Sequence, residues 1–210
     1  MKTSHKRLLL VLAGLIIVAI AGYAIWTAMP HEREARPSIY RNADYNYVLV
    51  YPSNYDLLER GRSNVVIGHR TDKGMSAIVE ATGIQVRDGE QFASYDDFLM
   101  RKSREFCGAD LPTITQVCTE VVSQEVYISD TNVEGVTYYL TELTTNLSTG
   151  EVTTGRAGPF YAYDLSAINA GTQYAAVVIR PAPGVAPADV DSDLIKEVAR
   201  QITLLAPTSR

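Results

Sequence analysis

Histidine, cysteine and paired carboxylates are the side chains from which a reactive centre would have to be built here. His69 is the one histidine beyond the N-terminal forty residues, so a Ser-His-Asp relay would have to use it. Gly74-Met75-Ser76 lacks the closing glycine of a nucleophile elbow. No H-E-x-x-H, P-loop or G-x-G-x-x-G pattern occurs. The pairs Asp96-Asp97 and Asp189/Asp191/Asp193 precede helix starts, where the dipole and capping favour acids without any catalytic duty. The second group opens like a calcium loop but lacks its later glycine and terminal acid. These patterns predict no metal site, no cofactor and no catalytic residue. The alternative is an envelope hydrolase assembled around His69.

Two cysteines, Cys107 and Cys118, bracket a stretch with Gly108 and Pro112 that lets the chain turn back. Their spacing excludes a C-x-x-C redox pair, and no histidine lies near enough for zinc. In an exported domain the even count predicts a Cys107–Cys118 disulfide, with two buried thiols as the alternative.

Tyrosine is over-used: thirteen against four phenylalanines. Tyr138, Tyr139, Tyr161 and Tyr163 fall on neighbouring expected strands. They are either cross-strand packing or a candidate face for a protein, peptide or glycan. Asn146-Leu147-Ser148 also fits a glycosylation acceptor.

The charge balance narrows the partners. The chain carries −5 overall, and residues 1–36 hold five Lys/Arg against two acids, which leaves −8 for residues 37–210. An acidic domain repels a phosphate backbone, so nucleic acid is not an expected partner.

Residues 8–29 are uncharged and mostly large and apolar. As a helix they reach about 33 Å, against a hydrocarbon core of about 30 Å. Lys2, Lys6 and Arg7 precede them, and Tyr23 and Trp26 sit near the far end. The positive-inside rule puts residues 1–7 in the cytoplasm and the domain outside. A cleaved signal peptide, leaving a secreted domain, is the competing reading; the apolar run exceeds its usual 7–15 residues. The expected organisation is a span at 8–29, a juxtamembrane linker at 30–38 holding His31, and one extracytoplasmic domain at 39–206.

Within the domain, residues 45–51 alternate as a strand and Pro52-Ser53-Asn54 ends it. Residues 55–60 are expected as a helical turn stopped by Gly61. Residues 64–70 and 75–86 read as a hairpin, with Gly83 marking a bulge or a close backbone approach. Ser94 caps a helix whose inner face carries Tyr95, Phe98, Leu99 and Phe106. Residues 120–129, 135–146, 151–165 and 173–180 form an antiparallel meander. A second helix is expected over 191–205, its apolar stripe built from Leu194, Ile195, Val198, Ala199, Ile202 and Leu205. The class is α+β.

The opening strand ending in Tyr51-Pro52 with Tyr55 beyond it, and the final apolar strand 175–179 followed by an amphipathic helix, resemble the Mog1/PsbP fold. The resemblance implies a curved antiparallel sheet packed by two main helices over about residues 40–206. It implies a binding or accessory module without a catalytic centre, and it assigns no residue. The sequence-based reading is a membrane-anchored, non-catalytic extracytoplasmic binding module.

Overall fold

The computed structural model describes residues 36–206 except 73, 107–112, 169–172 and 186–188. Alternating apolar residues fold as strands along most of this length. The order is β1 (Ser38–Asn42), β2 (Tyr47–Tyr51), β3 (Asp56–Arg60), β4 (Asn64–Thr71), β5 (Gly74–Gln85), α1 (Tyr95–Arg104), β6 (Ile114–Ile128), β7 (Glu134–Asn146), β8 (Val152–Asp164), β9 (Ala175–Pro181), α2 (Ser192–Arg200) and β10 (Thr203–Leu204). No helix among the described residues is long and apolar enough to cross a membrane. The expected span at 8–29 and most of the linker lie outside the described residues.

The α+β class stands, but the strands form two sheets rather than one. One sheet has three strands in the order β1-β2-β10, the other seven in the order β3-β4-β5-β9-β8-β7-β6. Every pairing is antiparallel, and β6 to β9 form the expected meander.

The large sheet buries both faces. One face carries Val65, Ile67, Val79, Tyr163, Val177 and Ile179, and packs against the small sheet and α2. The other carries Ile84, Tyr138, Leu140, Phe160 and Val178, and packs against Phe98 and Leu99 of α1. β9 is buried from Ala175 to Arg180, as a central strand covered on both sides must be.

Both helices begin where their capping residues place them. Ser94 Oγ accepts from the Asp97 N–H at 3.2 Å, and Asp97 Oδ2 accepts from the Ala93 N–H at 3.0 Å. Asp191 Oδ1 accepts from the Leu194 N–H at 2.9 Å. Asp191 is thus the cap of α2, and Asp97 sits in the first turn of α1 behind the cap Ser94.

Three expectations change. Residues 55–60 are not a helical turn: Asp56–Arg60 pairs with β4, and the Gly61 N–H closes the hairpin on the Asn64 carbonyl at 2.8 Å. A stretch this short cannot nucleate a helix, and the neighbouring strand supplies better bonds. The second helix ends at Arg200, not 205. Tyr163 hydroxyl donates to the Ala199 carbonyl at 2.7 Å, and the Asp130 N–H to the Arg200 carbonyl at 2.7 Å. With those carbonyls taken from outside, Thr203 and Leu204 turn to pair with β2. Finally, the irregularity of the β4–β5 pair falls at Ile67/Gly68, not Gly83.

Gly83 is instead the close approach. A Cβ there would lie 2.4 Å from ring carbons of Tyr45. Tyr45 is held over the glycine by the β1–β2 turn, where Asn42 Oδ1 accepts from the Asp44 and Tyr45 N–H groups at 3.0 and 2.9 Å. Gly83→Ala should therefore destabilise the domain by about 1–3 kcal/mol in urea unfolding. Tyr45→Ala should remove most of that penalty when combined with it, a non-additivity readable in a double-mutant cycle.

Candidate interaction surface

The four tyrosines of the candidate face do not form one. Tyr161 and Tyr163 point to the α2 side of the large sheet and Tyr138 to the α1 side, and all three are buried. The register explains the split: Tyr138 sits opposite Phe160, one residue out of phase with Tyr161. Tyr161 and Tyr163 pack edge-on against Tyr127, with ring centroids 4.9 and 6.5 Å away. Tyr138 stacks on Phe160 at 5.2 Å. Ser103 Oγ donates to the Leu99 carbonyl at 2.6 Å, so the Tyr138 hydroxyl, also 2.6 Å from Ser103, is the donor between the two. Tyr139 alone reaches the surface. The Arg156 guanidinium lies 3.6 Å from its ring centroid and donates to Ser123 Oγ at 2.8 Å.

His69 stacks on Tyr55 with ring centroids 4.5 Å apart. Among the described residues no hydroxyl or carboxylate hydrogen-bonds its ring, and no three His, Cys, Asp or Glu side chains converge on a metal-sized site. Cys118 is buried beside α1; Cys107, its expected partner, lies outside the described residues.

What stands out is an overhang. β8 pairs with β9 only over residues 161–164, yet it pairs with β7 as far as Val152. β6 follows β7 out to Ile114, six residues earlier than the pattern predicted. Residues 114–121, 140–146 and 152–157 therefore run past the central strands as a three-stranded arm. At its base Cys118, Val121, Leu140 and Ala157 pack towards α1. On the opposite face Val117, Leu143 and Thr154 lie in one row and Thr145 and Val152 in the next. Val117 and Val152 are exposed. Neither core cluster of the described residues includes Val117, Leu143 or Val152.

The chain also buries charge. Glu80 and Arg180 sit opposite each other on β5 and β9, 5% and 8% exposed, and form an ion pair. Asn64 Nδ2 donates to Glu80 Oε1 at 3.1 Å, and Arg180 lies 4.5 Å from the Phe106 ring centroid. Among the described residues Arg180 Nε has no hydrogen-bond partner. Burial pushes the guanidinium pKa down and Glu80 opposes it. Lys102 is likewise buried, bound to Glu90 at 2.6 Å and Glu105 at 3.3 Å, and holds the Glu90 carboxyl below its usual range. Sequence reading missed the Glu80–Arg180 pair. Its signal was a charge in phase with buried residues in each of two apolar strands.

A cleft of about 410 Å³ lies beside α2, lined by Asp130, Asp193, Lys196, Glu197, Arg200 and Gln201. Arg200 pairs with Asp130 at 3.1 Å across it. All six lining side chains are polar or charged, unlike the mostly apolar lining of typical small-molecule sites.

No protein-family model and no curated protein matches the chain. Among solved structures it is similar to cyanobacterial PsbP (CyanoP) from Synechocystis sp. PCC 6803, at 13% identity and TM-score 0.41, covering 84% of this chain and 97% of that one. A structure from Bacteroides thetaiotaomicron VPI-5482 is similar at 13% identity and TM-score 0.30, over 81% of this chain and 48% of that one. The likeness is one of fold; no residue of the surfaces described is assigned through it.

Removing one member of the buried pair leaves an uncompensated charge. Glu80→Gln should cost about 3–5 kcal/mol in urea unfolding, while Glu80→Met with Arg180→Met should restore most of it. Alkali tests the tyrosine core. Burial raises the pKa of Tyr127 to about 12 and drives those of Tyr47, Tyr138 and Tyr163 higher still. The folded state favours neutral phenols, so stability is whole below about pH 10, where unfolded tyrosine begins to ionise, and falls as pH rises further. Tyrosinate absorbance should rise in two stages, the later one coinciding with loss of the circular dichroism signal.

Proposed function

We propose that this chain is a non-catalytic binding or accessory module, tethered to a membrane through residues 8–29 and displayed on the extracytoplasmic side. The observation that carries the reading is the arm. A sheet built for stability alone would end its strands where its cover ends, yet here three strands continue together and leave Val117 and Val152 in water. The other features fit a scaffold. The buried tyrosines, the capped helices and the Glu80–Arg180 pair all serve packing, and His69 stacks on a ring rather than facing a nucleophile. The 22 uncharged residues from 8 to 29 supply the tether, and the −8 charge of residues 37–210 suits a protein, peptide or glycan partner better than nucleic acid. Outside the cytosol Cys107 and Cys118 would be bridged, closing a loop worth about 3 kcal/mol on the entropic account.

The test uses the full chain in cells. After alkaline extraction it should stay with the membranes, and protease added to the outer side should remove the domain. A photo-crosslinker at Val152 should then trap a discrete partner, and one at exposed Met75, on β5 outside the arm, should not. An intact chain found soluble in the cytosol would overturn the tether. Equal labelling from Val152 and Met75 would overturn the arm as a binding surface.

A further inference from the structure

The two edges of the large sheet are unlike. β3 is five residues long, three of them charged, and its register with β4 is broken after Leu57. Such an edge is guarded against further pairing. β6 is 15 residues long, and no described strand pairs with its outer side. Its two register shifts fall between Cys118 and Ser123, while residues 123–128 pair with β7 without interruption.

The phase of that regular stretch follows from the turn. The Ser129 N–H donates to the Val133 carbonyl at 2.9 Å. Antiparallel bonding alternates, so residues 127, 125 and 123 bond inward to β7. Gln124, Val126 and Ile128 then turn their N–H and C=O groups to the free edge. Val126 and Ile128 also keep 69% and 61% of their surface in water. Their side chains share one face, and Glu125 lies on the other.

We propose that residues 123–128 of β6 accept an extended segment of a partner protein in which apolar residues alternate with lysine or arginine. The inference rests on the binding-module reading above and adds to its arm a second surface with a partner chemistry. Apolar side chains of the added strand would cover Val126 and Ile128, and its basic ones would lie beside Glu125 and, further along, Glu120. The charge decides between occupants. β6 contains two glutamates and no Lys or Arg, and the domain around it is acidic. A second copy would set acidic strand against acidic strand, which is unfavourable. Arg156 reaches β6, but its guanidinium is already held by Tyr139 and Ser123. An added strand gains affinity from main-chain bonds and selectivity from alternate side chains.

The full chain, in detergent micelles, is titrated with a short peptide alternating lysine and valine and with its glutamate–valine counterpart. The basic peptide should bind saturably and slow hydrogen exchange at Gln124, Val126 and Ile128. Val126→Pro removes an outward N–H without touching the β6–β7 ladder, and should weaken binding about tenfold. Glu120→Lys with Glu125→Lys leaves the backbone intact and should invert the preference towards the acidic peptide. That variant keeps the test open if the proline variant fails to fold. Undiminished binding by a folded Val126→Pro variant, or an unchanged preference after charge reversal, would overturn the proposal. So would peptide-free protection of these amides that grows with protein concentration, which marks a second copy. If the edge proves inert while Val152 still cross-links its partner, this proposal falls and the binding-module reading stands.

Discussion

A sheet with two apolar faces must be covered on both, and the length of the cover sets how much of the sheet is core. Here the cover is shorter than the sheet. The small sheet and α2 close one face around Val65, Ile67, Tyr163 and Ile179, and α1 closes the other around Tyr138, Phe160 and Val178. β4 and β9, with 8 and 7 residues, are about as long as that cover; β6, β7 and β8, with 15, 13 and 13, are not. The arm is what remains once the hydrophobic requirement has been met. Its exposed valines are therefore not explained by folding, which directs attention to it as a contact surface.

The covering elements are fixed by polar bonds at their ends. The C-terminal carbonyls of α2 are orphan acceptors that the helix cannot satisfy itself. Tyr163 and Asp130 take those of Ala199 and Arg200, and Thr131 takes that of Ile202 just beyond. Two of these donors come from the β6–β7 turn and one from β8, so α2 is registered against the meander as well as packed on it. Tyr163 thereby does two jobs, filling core volume with its ring and capping with its hydroxyl. This is one reason the chain uses tyrosine where phenylalanine would fill the space. Tyr138 does the same on the other face, donating to Ser103 of α1.

What could be read from the sequence follows from range. The cap Ser94, the β4–β5 hairpin and the meander depend on residues close in the chain, and all were legible. β3 and β10 were not, because each is a strand only by virtue of a partner: β4 for one, and for the other β2, more than 150 residues away. Gly83 was legible as one of two possibilities, and the Tyr45 ring decides which. The tyrosine face failed because the register sets Tyr161 opposite Thr137 and Tyr138 opposite Phe160, so Tyr138 and Tyr161 lie on opposite sides of the sheet. A register one residue different would have put them on one side, and composition carries no trace of that choice.

Register shifts in the outermost pair, β6 with β7, bear on how an acidic domain can keep a long open edge. A flat 15-residue strand with exposed valines would invite copies of itself to pair. Two breaks in register between Cys118 and Ser123 twist the strand and leave residues 123–128 as its longest uninterrupted run next to the turn. Glu120 and Glu125 add repulsion between identical strands. Both devices act against indiscriminate pairing, yet neither buries Val126 or Ile128 nor closes the outward N–H and C=O groups around them. An edge meant to be inert would place charge at those positions, as β3 does with Asp56, Glu59 and Arg60. The combination of short regular run, apolar side chains and acidic flank is that of an edge kept selective rather than shut.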